Sequence, residues 1–153
     1  MKYGLIGEKL GHSFSKPIHE SIADYTYEIK EIPRDELDAV MCKKDFCGIN
    51  VTIPYKQSVM PYLDFIDEAA RRIGAVNTIV NRDGRLYGYN TDFVGMKMLI
   101  EKQGFSYEGR KVVILGSGGT SKTALAVAKA QRATEILKVS RGSADDCITY
   151  EQA

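Results

Sequence analysis

Along "GINVTIPYK" (48–56), Asn50 and Thr52 alternate with Val51 and Ile53. Side chains of a strand point alternately to its two faces, so this segment predicts a strand with one polar and one apolar face. Strand patterns also run over Lys2–Ile6, Thr26–Ile32, Gly48–Ile53, Val76–Val80, Arg85–Tyr89, Lys111–Leu115 and Glu135–Val139. Between the first three, helical spacing predicts Pro17–Ala23 and Arg34–Lys43, the latter with Asp35 and Glu36 favourably acidic in its first turn. Alternating strands and helices imply an open, mostly parallel sheet. "NTIVNRDGRLYGYN" breaks the alternation, because Asp83-Gly84 between two apolar runs is a two-residue hairpin signal. The first hundred residues therefore predict a small mixed sheet whose last pair is antiparallel. "TDFVGMKMLIEKQG" reads as a helix, with Phe93, Met96, Leu99 and Ile100 spaced for one buried face and Gly104 ending it. A polar stretch, Ser106–Arg110, precedes the next strand, and a domain boundary is expected at about residue 103, giving domains 1–103 and 104–153.

Composition narrows the classes. The chain has 153 residues, 44% of them hydrophobic, which suffices for a packed core. Twenty-one Lys and Arg nearly balance twenty Asp and Glu, and a net charge of +1 argues against a nucleic-acid partner. No apolar run approaches the roughly 18 residues of a membrane span, so no membrane partner is expected. The first residues are strand-like and lack the basic-then-apolar pattern of a secretory leader. Cys42, Cys47 and Cys147 form an odd set without a CxxC, which points to reduced thiols in the cytoplasm and to no metal site.

"KVVILGSGGTSKTALAVAKA" is strand, glycine turn and helix, the context in which bare amides can meet a phosphate. Read as a dinucleotide-binding fingerprint, Gly116-x-Gly118-x-x-Gly is met except for Ser121, a small residue that still allows close helix–strand approach. Read as a P-loop, Ser121-Lys122-Thr123 stands where Gly-Lys-Thr is required, a larger departure because that glycine supplies backbone freedom. An NAD site ends its second strand with an acidic residue, but "ILKVSRG" supplies Ser140 and Arg141. An arginine there suits the 2′-phosphate of NADP, although a solvated loop arginine would look the same.

The first domain gathers small polar groups at strand ends. Lys56 follows Pro54 just past a strand, Asn77 lies in "GAVNT", and Asn90, Thr91 and Asp92 close "GYNTD". Ser13 and Ser15 lie two apart in a glycine-punctuated loop after the first strand. Ser15 is well placed to cap a helix ahead of Pro17, which leaves Ser13 unexplained. Taken singly, each of these groups also fits an ordinary turn or cap.

Together, "GLIGEKLGHSFSKPIH", "GINVTIPYK", "IGAVNTIV", "GYNTDFVG" and "VVILGSGGTSKTA" resemble, in order and spacing, the motifs of shikimate dehydrogenases over nearly the whole chain. The resemblance implies an α/β protein with a small mixed βαβ substrate domain followed by a partial Rossmann NADP-binding domain. It implies reversible, NADPH-dependent reduction of 3-dehydroshikimate to shikimate in aromatic amino-acid biosynthesis. By the same resemblance Ser13 and Ser15 hold the substrate carboxylate, Thr52, Asn77 and Asp92 hold ring hydroxyls, and Lys56 is the acid/base beside Asp92. Glu68 would lie near the nicotinamide, Gly116, Ser117, Gly118, Gly119 and Thr120 at the pyrophosphate, and Ser140 and Arg141 at the adenosine phosphate. The cofactor carries the redox step, so no metal is implied. His12, inside the serine motif, is expected to make a structural hydrogen bond, and His19 has no assigned role.

The family extends beyond Ala153, and one β-α-β unit falls short of a six-strand nucleotide domain. A truncated or fragment form is expected, with doubtful activity of its own and an exposed sheet edge prone to self-association. Two other classes stay open: a non-catalytic module binding a shikimate-like acid, and a P-loop nucleotide hydrolase.

Overall fold

The computed structural model describes residues 1–141 and 146–153, and these form two compact units, Met1–Asn90 and Thr91–Ala153. In the first, β1 (Tyr3–Gly7), β2 (Tyr27–Glu31), β3 (Gly48–Val51), β4 (Phe65–Ile66), β5 (Thr78–Arg82) and β6 (Arg85–Tyr89) make one sheet in the order β2-β1-β3-β5-β6-β4. β1 runs parallel to both β2 and β3, β5 is antiparallel to β3 and β6, and β4 adds parallel to β6. The mixed sheet and its antiparallel last pair match the hydrophobic pattern. At the turn Asp83 (φ 52°) and Gly84 (φ 82°) both take the left-handed conformation that a tight hairpin requires.

Helices α1 (Ser15–Ile22), α2 (Leu37–Lys43) and α3 (Glu68–Ile73) complete this unit. Leu37 and Met41 from α2, and Ala70 and Ile73 from α3, are buried. In the strands Leu5, Ile6, Ile49, Val51, Ile79 and Leu86 are buried too. Each such side chain contributes roughly 1.5–3 kcal/mol when fully buried. Residues expected to open a single helix at Arg34 instead form a 3-10 turn, Arg34–Glu36, and α2 begins only at Leu37. α3 and β4 were not predicted. They are six and two residues long, too short for periodicity to register; α3 is capped by Asp67, whose Oδ2 accepts the Ala69 N–H at 3.0 Å, and β4 is held by its pairing with β6.

The serine loop corrects an expectation. α1 starts at Ser15, so Ser15 is inside the helix rather than its cap, and Ser13 Oγ accepts the Ser15 N–H at 3.2 Å. No α1 residue is buried. The helix is held over β2 by His19, whose ring stacks on Tyr27 with centroids 4.0 Å apart.

The second unit contains α4 (Thr91–Lys102), β7 (Lys111–Leu115), α5 (Gly119–Ala130) and β8 (Glu135–Val139), with β7 and β8 parallel from Lys111↔Glu135 to Leu115↔Val139. The boundary therefore falls one helix earlier than the expected residue 103, because α4 packs on α5. The buried stripe expected on α4 is also absent. Phe93, Met96 and Ile100 are half-buried, and Leu99 is 61% exposed. On β7, Ile114 is buried, while Val113 and Leu115 on the alternate face remain exposed.

Gly4, in β1 between β2 and β3, is fixed by space. A Cβ there would collide with the Glu28 carbonyl oxygen of β2, and backbone cannot step aside as a side-chain tip can. Gly4→Ala should destabilise the protein by about 1–3 kcal/mol in urea unfolding followed by circular dichroism. Gly95→Ala, with nothing within 4 Å of the added carbon, should be neutral or stabilising. Equal midpoints for the two variants would refute this account of β1.

Candidate functional site

Strand direction decides where the polar groups collect. The carboxyl ends of β1, β3 and β6 and the start of β5 lie at one end of the sheet, as the pairs Ile6↔Val51, Asn50↔Thr78 and Thr78↔Tyr89 show. The loop with Ser13 and Ser15 leaves β1 there, Thr52 and Lys56 leave β3, Asn77 enters β5, and Asn90 leaves β6. Ligand sites in open α/β sheets form at such strand ends.

A cleft of about 600 Å³ opens at that end, lined by the β1 loop from Glu8 to Ser15 and by Thr52, Ile53 and Pro54. Ser13, Ser15 and Thr52 thus line one cleft. Gly7 makes this possible, because a Cβ there would meet the Leu10 side chain at 2.7 Å and the Thr52 methyl at 2.8 Å. The loop is tethered at its root. Glu31 Oε1 accepts the Leu10 N–H at 2.6 Å, the Arg34 guanidinium pairs with Glu8 at 3.0 Å, and the Glu8 N–H reaches Ile53 O at 3.3 Å. Glu8, Lys9 and Leu10 were missed by sequence reasoning, although the spacing of glycines around them marked the loop. His12, expected to make a structural hydrogen bond, is exposed on the cleft wall and makes none among the described residues.

After β3 the chain turns tightly. Tyr55 N–H donates to Thr52 O at 2.9 Å, and the buried Tyr55 hydroxyl donates to Ile32 O at 2.5 Å. The Lys56 carbonyl accepts Val76 N–H at 2.7 Å, which fixes the backbone from which the half-buried Lys56 side chain springs. Asn77 and Asn90 are 7% and 4% exposed. Asn90 Nδ2 donates to Ala75 O at 2.9 Å, a bond that closes the segment before β5. Asp92 opens α4 and belongs to the second unit. Glu68 is the first residue of α3, exposed, and ion-paired with Arg72 one turn later.

In the second unit, Gly116 (φ 109°) turns the chain out of β7, and its N–H donates to Val139 O at 2.8 Å. Ser117 Oγ lies 3.2 Å from Ser140 Oγ, so the glycine loop and the end of β8 meet. Gly118 caps α5 without a side-chain bond, leaving Gly119 and Thr120 exposed at the helix start. Ser121 is buried, with its hydroxyl on Gly118 O at 2.6 Å, as the close-approach position of a dinucleotide fold requires. Thr123, which a P-loop would turn toward magnesium, is 2% exposed. Arg141 is exposed just beyond β8. Among the described residues no group of three or more His, Cys, Asp or Glu could hold a metal ion, and no helix is long and apolar enough to cross a membrane.

Comparison with known proteins bears on this arrangement. Residues 5–79 match the family described as "Shikimate dehydrogenase substrate binding domain". A shikimate dehydrogenase (NADP(+)) of Clostridium perfringens is 40% identical over 147 residues, covering 91% of this chain and 54% of that protein. The crystal structure of shikimate dehydrogenase 1 from Peptoclostridium difficile superposes with a TM-score of 0.88 at 38% identity, over 99% of this chain and 63% of the other. The Thermus thermophilus shikimate 5-dehydrogenase in complex with NADP(H) and shikimate superposes with a TM-score of 0.79 at 32% identity, over 92% and 56%. The chain spans about half the length of the curated relatives it matches.

Proposed function

This chain belongs to the shikimate dehydrogenase family, and from that premise we propose that its first unit binds shikimate and 3-dehydroshikimate and serves their NADP-dependent interconversion. The observation that carries the reading is the convergence of Ser13, Ser15 and Thr52 on one cleft, at the sheet end where Lys56 and Asn77 also emerge. In this reading the Ser13 and Ser15 hydroxyls hold the substrate carboxylate, and Thr52, Asn77 and Asp92 hold the ring hydroxyls. NADPH, when bound, supplies a hydride to the ketone carbon. Reduction leaves an alkoxide, and the Lys56 ammonium donates a proton to that oxygen. In the oxidative direction neutral Lys56 takes the hydroxyl proton, with Asp92 positioning the amine. The amides and hydroxyls of Gly116 to Thr120 hold the pyrophosphate, Ser140 and Arg141 the 2′-phosphate, and Glu68 lies at the nicotinamide end.

Titration with shikimate, NADPH, NADH and ATP–magnesium separates the classes. Shikimate and NADPH should bind. ATP–magnesium binding without shikimate would establish a nucleotide hydrolase instead, and shikimate binding without NADPH binding would favour a binding module.

Lys56→Ala should lower kcat by ~10²–10⁴-fold with little change in KM. Ser13→Ala should raise KM, because a carboxylate contact persists in ground and transition states alike. Steady-state kinetics showing the reverse pattern would exchange the two roles.

Arg141→Ala should reduce the preference for NADPH over NADH by roughly ten- to a hundredfold, the effect of losing a charge-assisted contact to phosphate. An unchanged ratio would remove Arg141 from the cofactor site.

We also propose self-association through β7, which among the described strands pairs only with β8 and leaves Leu115 70% exposed. Size-exclusion chromatography should show a larger species growing with concentration. A concentration-independent monomer rules this out.

A further inference from the structure

Helix α1 brings Ser15 to the cleft on its first turn, and its hold on the sheet is chemically specific. Of its eight residues Ser15 and His19 are half-buried, and the other six are exposed. The two are four residues apart, so they share the face that α1 turns to the protein. Ser15 lines the cleft. His19 goes to an aromatic group. Its ring stacks on buried Tyr27 with 11° between the planes, and its Nδ1 lies 2.5 Å from the Tyr25 hydroxyl. A phenol both donates and accepts, so this bond stands with either tautomer of the imidazole.

Both partners are themselves fixed. The Tyr27 hydroxyl donates to Asn50 Oδ1 of β3 at 2.6 Å, and the Tyr25 ring lies against Tyr3 of β1 with centroids 5.0 Å apart. The imidazole is thereby tied to β1, β2 and β3 together. Glu20 also joins α1 to β2, its exposed Oε1 accepting the Tyr27 N–H at 3.1 Å. A long carboxylate side chain can follow a shifting helix. A ring stacked on one face and bonded at one nitrogen fixes both the height and the rotation of the helix. Four residues of helix rise about 6 Å, so the placement of His19 passes to Ser15 through a single turn of backbone. Ser13 follows, because its Oγ accepts the Ser15 N–H at 3.2 Å.

We infer that His19, through Tyr25 and Tyr27, is a positioning residue that sets where Ser13 and Ser15 stand in the cleft and so tunes affinity for a carboxylate-bearing ligand. The inference deepens the functional reading above and rests on it for the identity of the ligand. Its effect falls on the serine end of the cleft and leaves the Thr52 wall, carried by β3, unchanged.

The test removes the His19–Tyr25 bond from either side. His19→Phe keeps a flat ring on Tyr27 and deletes the nitrogen, and Tyr25→Phe keeps the ring against Tyr3 and deletes the hydroxyl. The first readout needs no ligand: the Ser13 and Ser15 backbone amide signals in ¹⁵N-correlated NMR. They should shift in Tyr25→Phe, where every ring stays in place, and His19→Phe should add nothing to a Tyr25→Phe background beyond the change of ring. The second is shikimate affinity by NMR titration. Each variant should weaken binding by about three- to tenfold, the effect of one hydrogen bond. That loss should vanish when Ser13 and Ser15 are both replaced by Ala and persist in full in Thr52→Val, a separation that a general loosening of the fold would not produce. Serine amide signals unchanged in Tyr25→Phe, or an equal loss of affinity with and without the two serines, would overturn the inference. Should His19→Phe fail to fold, Tyr25→Phe carries the same decision. Shifted serine signals in a protein that does not bind shikimate would uphold the positioning role and overturn the ligand reading alone.

Discussion

Two adjacent amides at the end of β3 reach in opposite directions, and the architecture of the site hangs on them. Val51 N–H donates to Asn77 O at 2.8 Å on one side, and Thr52 N–H donates to Ile6 O at 3.0 Å on the other. These bonds tie β1, β3 and the approach to β5 together at the level where the ladder ends. Directly beyond it the chain departs into the serine loop, the Thr52–Lys56 turn and the Asn77 segment. Backbone groups excluded from water must pair, so the three departures are held in register by the same requirement that holds the sheet.

The two faces of β3 divide the work. Ile49 and Val51 enter the core, while Asn50 joins a polar layer with Tyr27, Thr78 and Asn77. A buried polar layer is expensive unless its members satisfy one another, and among the described residues no buried side-chain nitrogen or oxygen lacks a partner. Such a layer resists rotation of any one amide, which an apolar layer of the same volume would not. Precise presentation of a small, hydroxyl-rich ligand benefits from that stiffness.

The second unit follows another logic. β7, α5 and β8 form one strand–helix–strand unit with parallel strands, with Ser117 and Ser140 meeting where the glycine turn opens. Its apolar groups are covered on the α5 side, where Ile114, Val127 and Ala128 are buried, while Val113 and Leu115 stay exposed. The shape of this turn is local and depends on backbone geometry at Gly116, with φ 109°, and at Gly118, which caps α5.

Much of this was legible in the sequence wherever the deciding interactions are local. The Asp83-Gly84 hairpin follows from two left-handed residues, and Arg85–Tyr89, Lys111–Leu115 and Glu135–Val139 emerged with the bounds that alternation gave them. The serine loop, the polar face of β3 and the glycine turn were likewise visible, because motif spacing encodes them. Tertiary contacts decided the rest. α4 belongs to the second unit because of what it packs on, and no periodicity within Thr91–Lys102 states that. Whether Ser13 or Ser15 serves the α1 amides depends on where the loop lets the helix begin. The hydrogen bonds from Tyr27 to Asn50 and from Asn50 to Thr78 join residues 23 and 28 positions apart across three strands. Only strand register brings them within 3.1 Å, and register is set by burial of the opposite face rather than by the polar residues themselves.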